Sequence, residues 1–306
     1  METEVNLAGI LMKNPVMPAS GTFGYGREYS NFFDLNLLGA LVTKAVTLKP
    51  RAGNSQPRAA EVFGGMLNSI GLQNDGLELF LEKAIPFLEN YTVPIIVNIS
   101  ENTIEDFAEI ARRLSISKVS GLEVNVSCPN VKVGGMIFGT DPKATYDVVQ
   151  AVKQSTDKPI IVKLSPNVTN IVTIARAAYD AGADSLSMIN TLLGMDIDAK
   201  TGKPKINGNG MYMGGYSGAG ILPVGLRCVY QVYNSGIPLP IIGIGGITTG
   251  IDAVKYIRAG ATAIAIGTST FTDPNSCPRI IREIENFMEE IQIKDINELR
   301  GKITEL

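Results

Sequence analysis

The sequence predicts an α/β protein folded as an eight-stranded β/α (TIM) barrel with a short N-terminal strand pair. Three observations predict it. Short apolar, β-branched runs recur eight times, and amphipathic stretches with apolar residues at three- and four-residue spacing lie between them. The connections are also unequal: Ala181-Gly182-Ala183 and Ala259-Gly260-Ala261 return from helix to strand in a single turn, whereas the links after Lys44, Asn125 and Asn190 are long. In a barrel such long loops gather at the C-terminal ends of the strands, where these folds place their chemistry; an open doubly wound sheet is the competing arrangement.

In order, the strand runs are 16–19, 40–43, 94–97, 122–124, 159–162, 185–189, 240–244 and 263–266, and the clearest helices are 103–114, 144–154, 169–181, 224–233 and 250–259. A strand pair over 4–12 is placed to plug the barrel floor. With no linker or low-complexity stretch, residues 1–306 read as a single domain.

Composition narrows the function. The chain has 306 residues, 45% hydrophobic and 19% charged, enough for a large buried core. A formal net charge of -3 offers no basic excess to hold a phosphate backbone, which argues against a dedicated nucleic-acid binder. No apolar run reaches the length of a membrane span, and charges interrupt the first fifteen residues where a signal peptide would be apolar, so the expected location is cytoplasmic. The three cysteines, Cys128, Cys228 and Cys277, form no C-x-x-C pair and suit a reducing compartment, so no metal or iron–sulfur site is expected within the chain. There is no histidine. Acid–base work near neutral pH therefore falls to Cys, Lys, Tyr or a carboxylate.

The residues closing the strands are Ser20, Lys44, Asn98, Asn125, Lys163 and Asn190, then Gly245-Gly246 and Gly267-Thr268. A polar residue where a strand meets solvent is ordinary; six together suit recognition of a flat heterocycle, because an amide offers a donor and an acceptor in one plane. Glycine turns after the seventh and eighth strands have the composition of the barrel phosphate site, in which bare backbone N–H groups hold an anion. Lys44 and Lys163 read either as Schiff-base amines or as fixed cations stabilising charge on a ligand. Cys128, in Val126-Ser127-Cys128-Pro129-Asn130, lies on a glycine-rich loop at the functional face and suits a base. Cys228 reads as a core residue on a helix face, and Cys277, at a helix start beside Pro278, as a surface or capping residue.

Six stretches, in order and nearly end to end, resemble the dihydroorotate dehydrogenases: Pro18-Ala-Ser-Gly-Thr-Phe-Gly-Tyr-Gly-Arg-Glu-Tyr29, Leu67-Asn-Ser-Ile-Gly-Leu-Gln-Asn74, Val124-Asn-Val-Ser-Cys-Pro-Asn130, Val162-Lys-Leu-Ser-Pro-Asn167, Ile189-Asn-Thr-Leu-Leu-Gly194 and Ile244-Gly-Gly-Ile247. Cysteine rather than serine at 128 resembles the soluble class, and the first two stretches are most similar to its NAD-linked subclass, 1B, rather than the fumarate-linked 1A. The resemblance implies FMN on this chain, and FAD and an iron–sulfur cluster on a partner subunit, with a homodimer core inside a heterotetramer. Consistent with that division, the chain holds no G-x-G-x-x-G after a strand and no cysteine cluster.

By the same resemblance Cys128 takes the C5 proton of dihydroorotate while hydride leaves C6 for the flavin. The FMN site comprises Ser20, Lys44, Ala45, Asn98, Asn125, Lys163, Ile189, Gly218, Gly245, Gly246, Gly267 and Thr268. The substrate ring and carboxylate are held by Lys44, Asn68, Ser69, Ile70, Gly71, Leu72, Asn125, Asn190 and Thr191. The chain departs from the family pattern at 205–213, which is longer than usual, and at Ser217-Gly218-Ala219-Gly220 in place of the commoner Ser-Gly-Pro; both bear on Gly218 and its FMN contact. The rival readings are a Schiff-base lyase using Lys163, a tRNA-modifying flavin reductase and a ligand-sensing barrel without turnover.

Overall fold

The computed structural model describes residues 1–126 and 138–304, so Cys128 lies outside the described residues. Eight strands form the barrel: β3 (Val16–Pro18), β4 (Leu41–Val42), β7 (Ile95–Ile99), β8 (Gly121–Asn125), β9 (Ile160–Leu164), β10 (Ser185–Met188), β13 (Ile241–Ile244) and β14 (Ala263–Ile266). Their hydrogen-bonded order is β3-β14-β13-β10-β9-β8-β7-β4, with every ladder parallel. The ring closes between β3 and β4, where the Gly39 N–H donates to the Val16 carbonyl at 2.9 Å. Only glycine fits there, since a Cβ on residue 39 would fall 1.9 Å from the Asn14 carbonyl oxygen.

Helices cover the outer face, so the strands are buried on both sides, which is why they read as near-continuous apolar runs. Helix α3 (Ile104–Ser115) shows how local signals define one element. The Thr103 hydroxyl caps it by accepting the Asp106 N–H, acidic residues occupy its first turn and Arg112 and Arg113 its last, and Phe107, Ile110, Ala111 and Leu114 face the barrel. The other covering helices are α4 (Pro142–Lys153), α5 (Ile171–Asp180), α6 (Leu222–Tyr233), α7 (Gly250–Arg258) and α9 (Ser276–Glu290).

At the floor, β1 (Val5–Leu7) and β2 (Ile10–Met12) pair antiparallel, burying Val5, Leu7, Ile10 and Met12. A Cβ on Gly121, the first residue of β8, would come within 2.9 Å of Ile10 Cδ1, and one on Gly39 within 2.9 Å of Met12 Cε. The pair thus packs on the N-terminal ends of the strands, as expected.

Three features differ from expectation. Asn98 and Lys163 lie inside β7 and β9, not at their ends, so they sit deeper in the barrel: Asn98 is fully buried and Lys163 nearly so. Cys277, expected at the surface, is fully buried, because the second residue of α9 faces the core together with Ile280 and Ile284, and burial pushes its thiol up to about 12. The third is a second sheet at the mouth, antiparallel, in the order β11 (Leu192–Gly194), β12 (Gly214–Ser217), β6 (Gly65–Asn68), β5 (Ala59–Val62). The segment between β11 and β12 folds back on the sheet: Lys205 pairs with Asp196 at 2.8 Å and the Asn207 N–H donates to the Pro57 carbonyl at 2.7 Å.

Candidate active site

The C-terminal ends of the strands and the inner face of the mouth sheet enclose a cavity of about 430 Å³. Its floor is a row of polar side chains from successive strands. The Lys163 ammonium donates to Ser20 Oγ at 2.9 Å, and Asn98 Nδ2 donates to the same oxygen at 3.2 Å and to Glu123 Oε2 at 2.6 Å. The other carboxylate oxygen of Glu123 accepts from Ser187 Oγ at 2.7 Å. Asn98 Oδ1, buried in the same row, has no partner among the described residues.

One wall comes from the loop after β4 and from β6. Lys44 is held by its backbone N–H, which donates to the Gly24 carbonyl at 2.8 Å. Burial, reinforced by the positive charge of Arg58, lowers its ammonium pKa below the usual lysine value. Asn68, Ile70, Gly71 and Leu72 continue the wall. The Arg58 guanidinium, which donates to Gln73 Oε1 and to the Asn54 carbonyl, ties this stretch together. Opposite, Asn190 Nδ2 reaches Asn125 Oδ1 at 3.4 Å, and Asn167 clamps the following turn by donating to the Thr191 carbonyl and accepting the Leu193 N–H.

The far end is built from glycine turns. Gly245 and Gly246 have φ of 124° and 72°, and a Cβ on Gly246 would fall 2.6 Å from the backbone nitrogen of Leu222, where α6 starts. Tyr256 fixes the turn from behind, its hydroxyl donating to the Gly245 carbonyl at 2.7 Å; burial raises its phenol pKa well above the usual range. Thr268 Oγ1 donates to Ser217 Oγ at 2.8 Å, joining the turn after β14 to the strand that leads into Gly218. Among the described residues, the backbone N–H groups of Gly246 and Thr268 donate to no protein acceptor, as an anion cradle requires.

All the expected site residues line this one cavity except two. Ser69 is buried behind the wall, its backbone N–H donating to the Arg58 carbonyl, and Cys128 lies outside the described residues. The sequence reading missed Glu123, Ser187, Arg58, Gln73, Met66 and Ser217. For Glu123 a signal existed: an acidic residue in the apolar run Gly121-Leu-Glu-Val-Asn125, two positions before Asn125 and so on the same inward face. Among the described residues no cluster of His, Cys, Asp or Glu could hold a metal ion, and no helix is long and apolar enough to cross a membrane.

A β/α barrel with an anion cradle beside its seventh and eighth strands, and a row of amides and ammonium groups across its mouth, defines the class of barrel enzymes that bind a flat cofactor with a phosphate tail. The chain belongs to the dihydroorotate dehydrogenase family, whose model matches residues 2–288. It is 54% identical over 300 residues, 98% of each chain, to a protein of Alkaliphilus metalliredigens named dihydroorotate dehydrogenase B (NAD(+)), catalytic subunit. A protein of the same name from Geobacter sulfurreducens is 52% identical over 303 residues, 99% of this chain and 98% of that one. The crystal structure of DHODH from Eimeria tenella in complex with ferulenol superposes with a TM-score of 0.81 at 25% identity, covering 98% of this chain and 88% of that one.

FMN is the cofactor of this family. The residues present fit it: Asn98 Oδ1, without a partner among the described residues, and the Lys163 ammonium suit the polar edge of a flat ring, and the backbone N–H groups of Gly246 and Thr268 suit a phosphate.

Proposed function

We propose that this chain is the FMN-bearing catalytic subunit of an NAD-linked dihydroorotate dehydrogenase, which oxidises (S)-dihydroorotate to orotate in pyrimidine biosynthesis. The observation that carries the reading is the convergence of Lys44, Asn98, Lys163 and the two glycine turns on one cavity, in a chain similar over its full length to proteins named as such catalytic subunits. FMN, when bound, supplies a two-electron acceptor for the hydride that leaves C6 of the substrate.

The chain's own residues do the rest. Ser20, Asn98 and Lys163 would hold the ring edge of the cofactor, and Gly245, Gly246, Gly267 and Thr268 its phosphate. Lys44, Asn68, Asn190 and Thr191 would hold the substrate ring and carboxylate, with the Lys44 cation opposing the carboxylate charge. Cys128, as thiolate, takes the proton from C5, leaving the C5=C6 double bond of orotate. In the sequence Cys128 stands three positions after Asn125 of the cavity wall, at most about 11 Å of chain, which supports that reach.

With no dinucleotide fingerprint in this sequence, electrons would leave through a partner subunit carrying FAD and an iron–sulfur cluster, around a homodimer core in the cytoplasm. The test is an anaerobic titration with dihydroorotate. The purified protein is expected to be yellow and to bleach, then to be reoxidised by NAD only when the partner subunit is present, and not by fumarate. A colourless protein that cannot take up FMN overturns the reading.

A further inference from the structure

We propose that Glu123 is a positioning residue of this site: its buried carboxylate locks the side-chain amide of Asn98 in one orientation and so presents an acceptor, Asn98 Oδ1, to the bound ring. The inference rests on the FMN reading above and deepens it.

Glu123 is 2% exposed and takes part in no ion pair among the described residues. A carboxylate so buried is costly unless hydrogen-bonded, and it can only accept. Its two oxygens take one donor each, from Ser187 Oγ and from Asn98 Nδ2. The second N–H of the Asn98 amide goes to Ser20 Oγ, so both its donors are used and only Oδ1 is left for the cavity. A flipped amide would press its carbonyl oxygen against the carboxylate, two acceptors with no proton between them. The charge on Glu123 therefore sets the polarity of the amide.

The setting is passed on to the next residue. A serine hydroxyl has two acceptor lone pairs and one proton. Ser20 Oγ accepts from both Asn98 and Lys163, so its proton remains as a donor. The row then reads acceptor at Asn98, donor at Ser20 and cation at Lys163. Its complement is a planar ring edge in which an N–H adjoins carbonyl oxygens, as on the pyrimidine side of a flavin. Without Glu123 the amide can turn, and the row loses its fixed order.

The experiment measures the FMN dissociation constant of the apoprotein by fluorescence titration, with thermal melting as a check on folding. Glu123→Met is expected to weaken FMN about tenfold, the scale of one well-placed buried hydrogen bond. Glu123→Gln, which can accept from Asn98 as placed but also donate to a turned amide, is expected to fall between Glu123→Met and wild type. Glu123→Met is expected to add nothing to Asn98→Ala. Should Glu123→Met not fold, a second cycle avoids it. Glu123→Gln, which keeps the size of the native side chain, is expected to weaken FMN when residue 98 is Asn and to add nothing to Asn98→Ala. Wild-type affinity in Glu123→Met, or additive effects in either cycle, overturns the proposal. A wild-type protein that does not bind FMN overturns instead the cofactor reading beneath it.

Discussion

The floor and the mouth close the two ends of the same barrel, yet they obey different rules. At the floor, Val5, Leu7, Ile10 and Met12 fill the space with apolar volume. At the mouth the inward positions carry Asn98, Glu123, Lys163 and Ser187, buried polar groups that a stability-driven core would replace with aliphatic ones. One end is packed for burial. The other accepts the desolvation of charged and amide groups in exchange for fixed hydrogen-bonding directions, the usual trade at a functional site.

That contrast can be broken by substitutions that ought to separate activity from stability. The largest effect is expected from Cys128→Ala, which should lower turnover with an artificial acceptor by about 10²- to 10⁴-fold, the range spanned by loss of a general base. The flavin absorbance should stay. Turnover close to wild type would place the proton transfer on another residue.

At the floor the expectation reverses. Leu7→Ala, which empties a fully buried site, should cost about 2–5 kcal/mol in urea unfolding while the folded protein keeps its FMN affinity. If affinity falls in step with stability, floor and mouth are not independent.

Gly246→Ala sharpens the same boundary from the other side. The substitution meets a positive φ and the backbone of Leu222, so FMN affinity should fall about tenfold, for the roughly 1–2 kcal/mol that a Cβ costs in that conformation. Affinity for dihydroorotate, measured by competition with orotate, should change less.

The smallest effect is a pH limb. Because burial and Arg58 lower the Lys44 pKa below the ordinary 10.5, the folded protein loses this proton earlier than the unfolded chain does. Protonated Lys44 thus opposes folding, a cost that disappears as pH rises through the lowered value toward 10.5. Substrate binding has the opposite sign, since a carboxylate ligand favours the ammonium. The KM for dihydroorotate should rise with pH at a point below 10.5, and Lys44→Met should raise KM and remove that limb. An identical pH profile in the variant would show that Lys44 does not face the carboxylate.

The sequence alone determined the barrel and the strand-end residues of the cavity, because these depend on local patterns, while Asn68 to Leu72, Ile189 and Gly218 were implied by the family resemblance. Apolar runs mark the strands, three- and four-residue spacing marks α3 and its neighbours, and Gly245-Gly246 and Gly267-Thr268 declare turns wherever the chain places them. Only the tertiary structure decided the mouth sheet, whose strands at 59–68 and 192–217 are short, half-exposed and far apart in the chain, so that no single stretch carries their pairing. It also decided that Cys277 turns inward and that Asn98 and Lys163 sit below the rim. The union of Glu123, Asn98, Ser20 and Lys163 was decided there too, since these residues come from inside three strands and from the turn after a fourth. Periodicity reports which face a residue takes; which partner waits on that face depends on the ring of strands having closed.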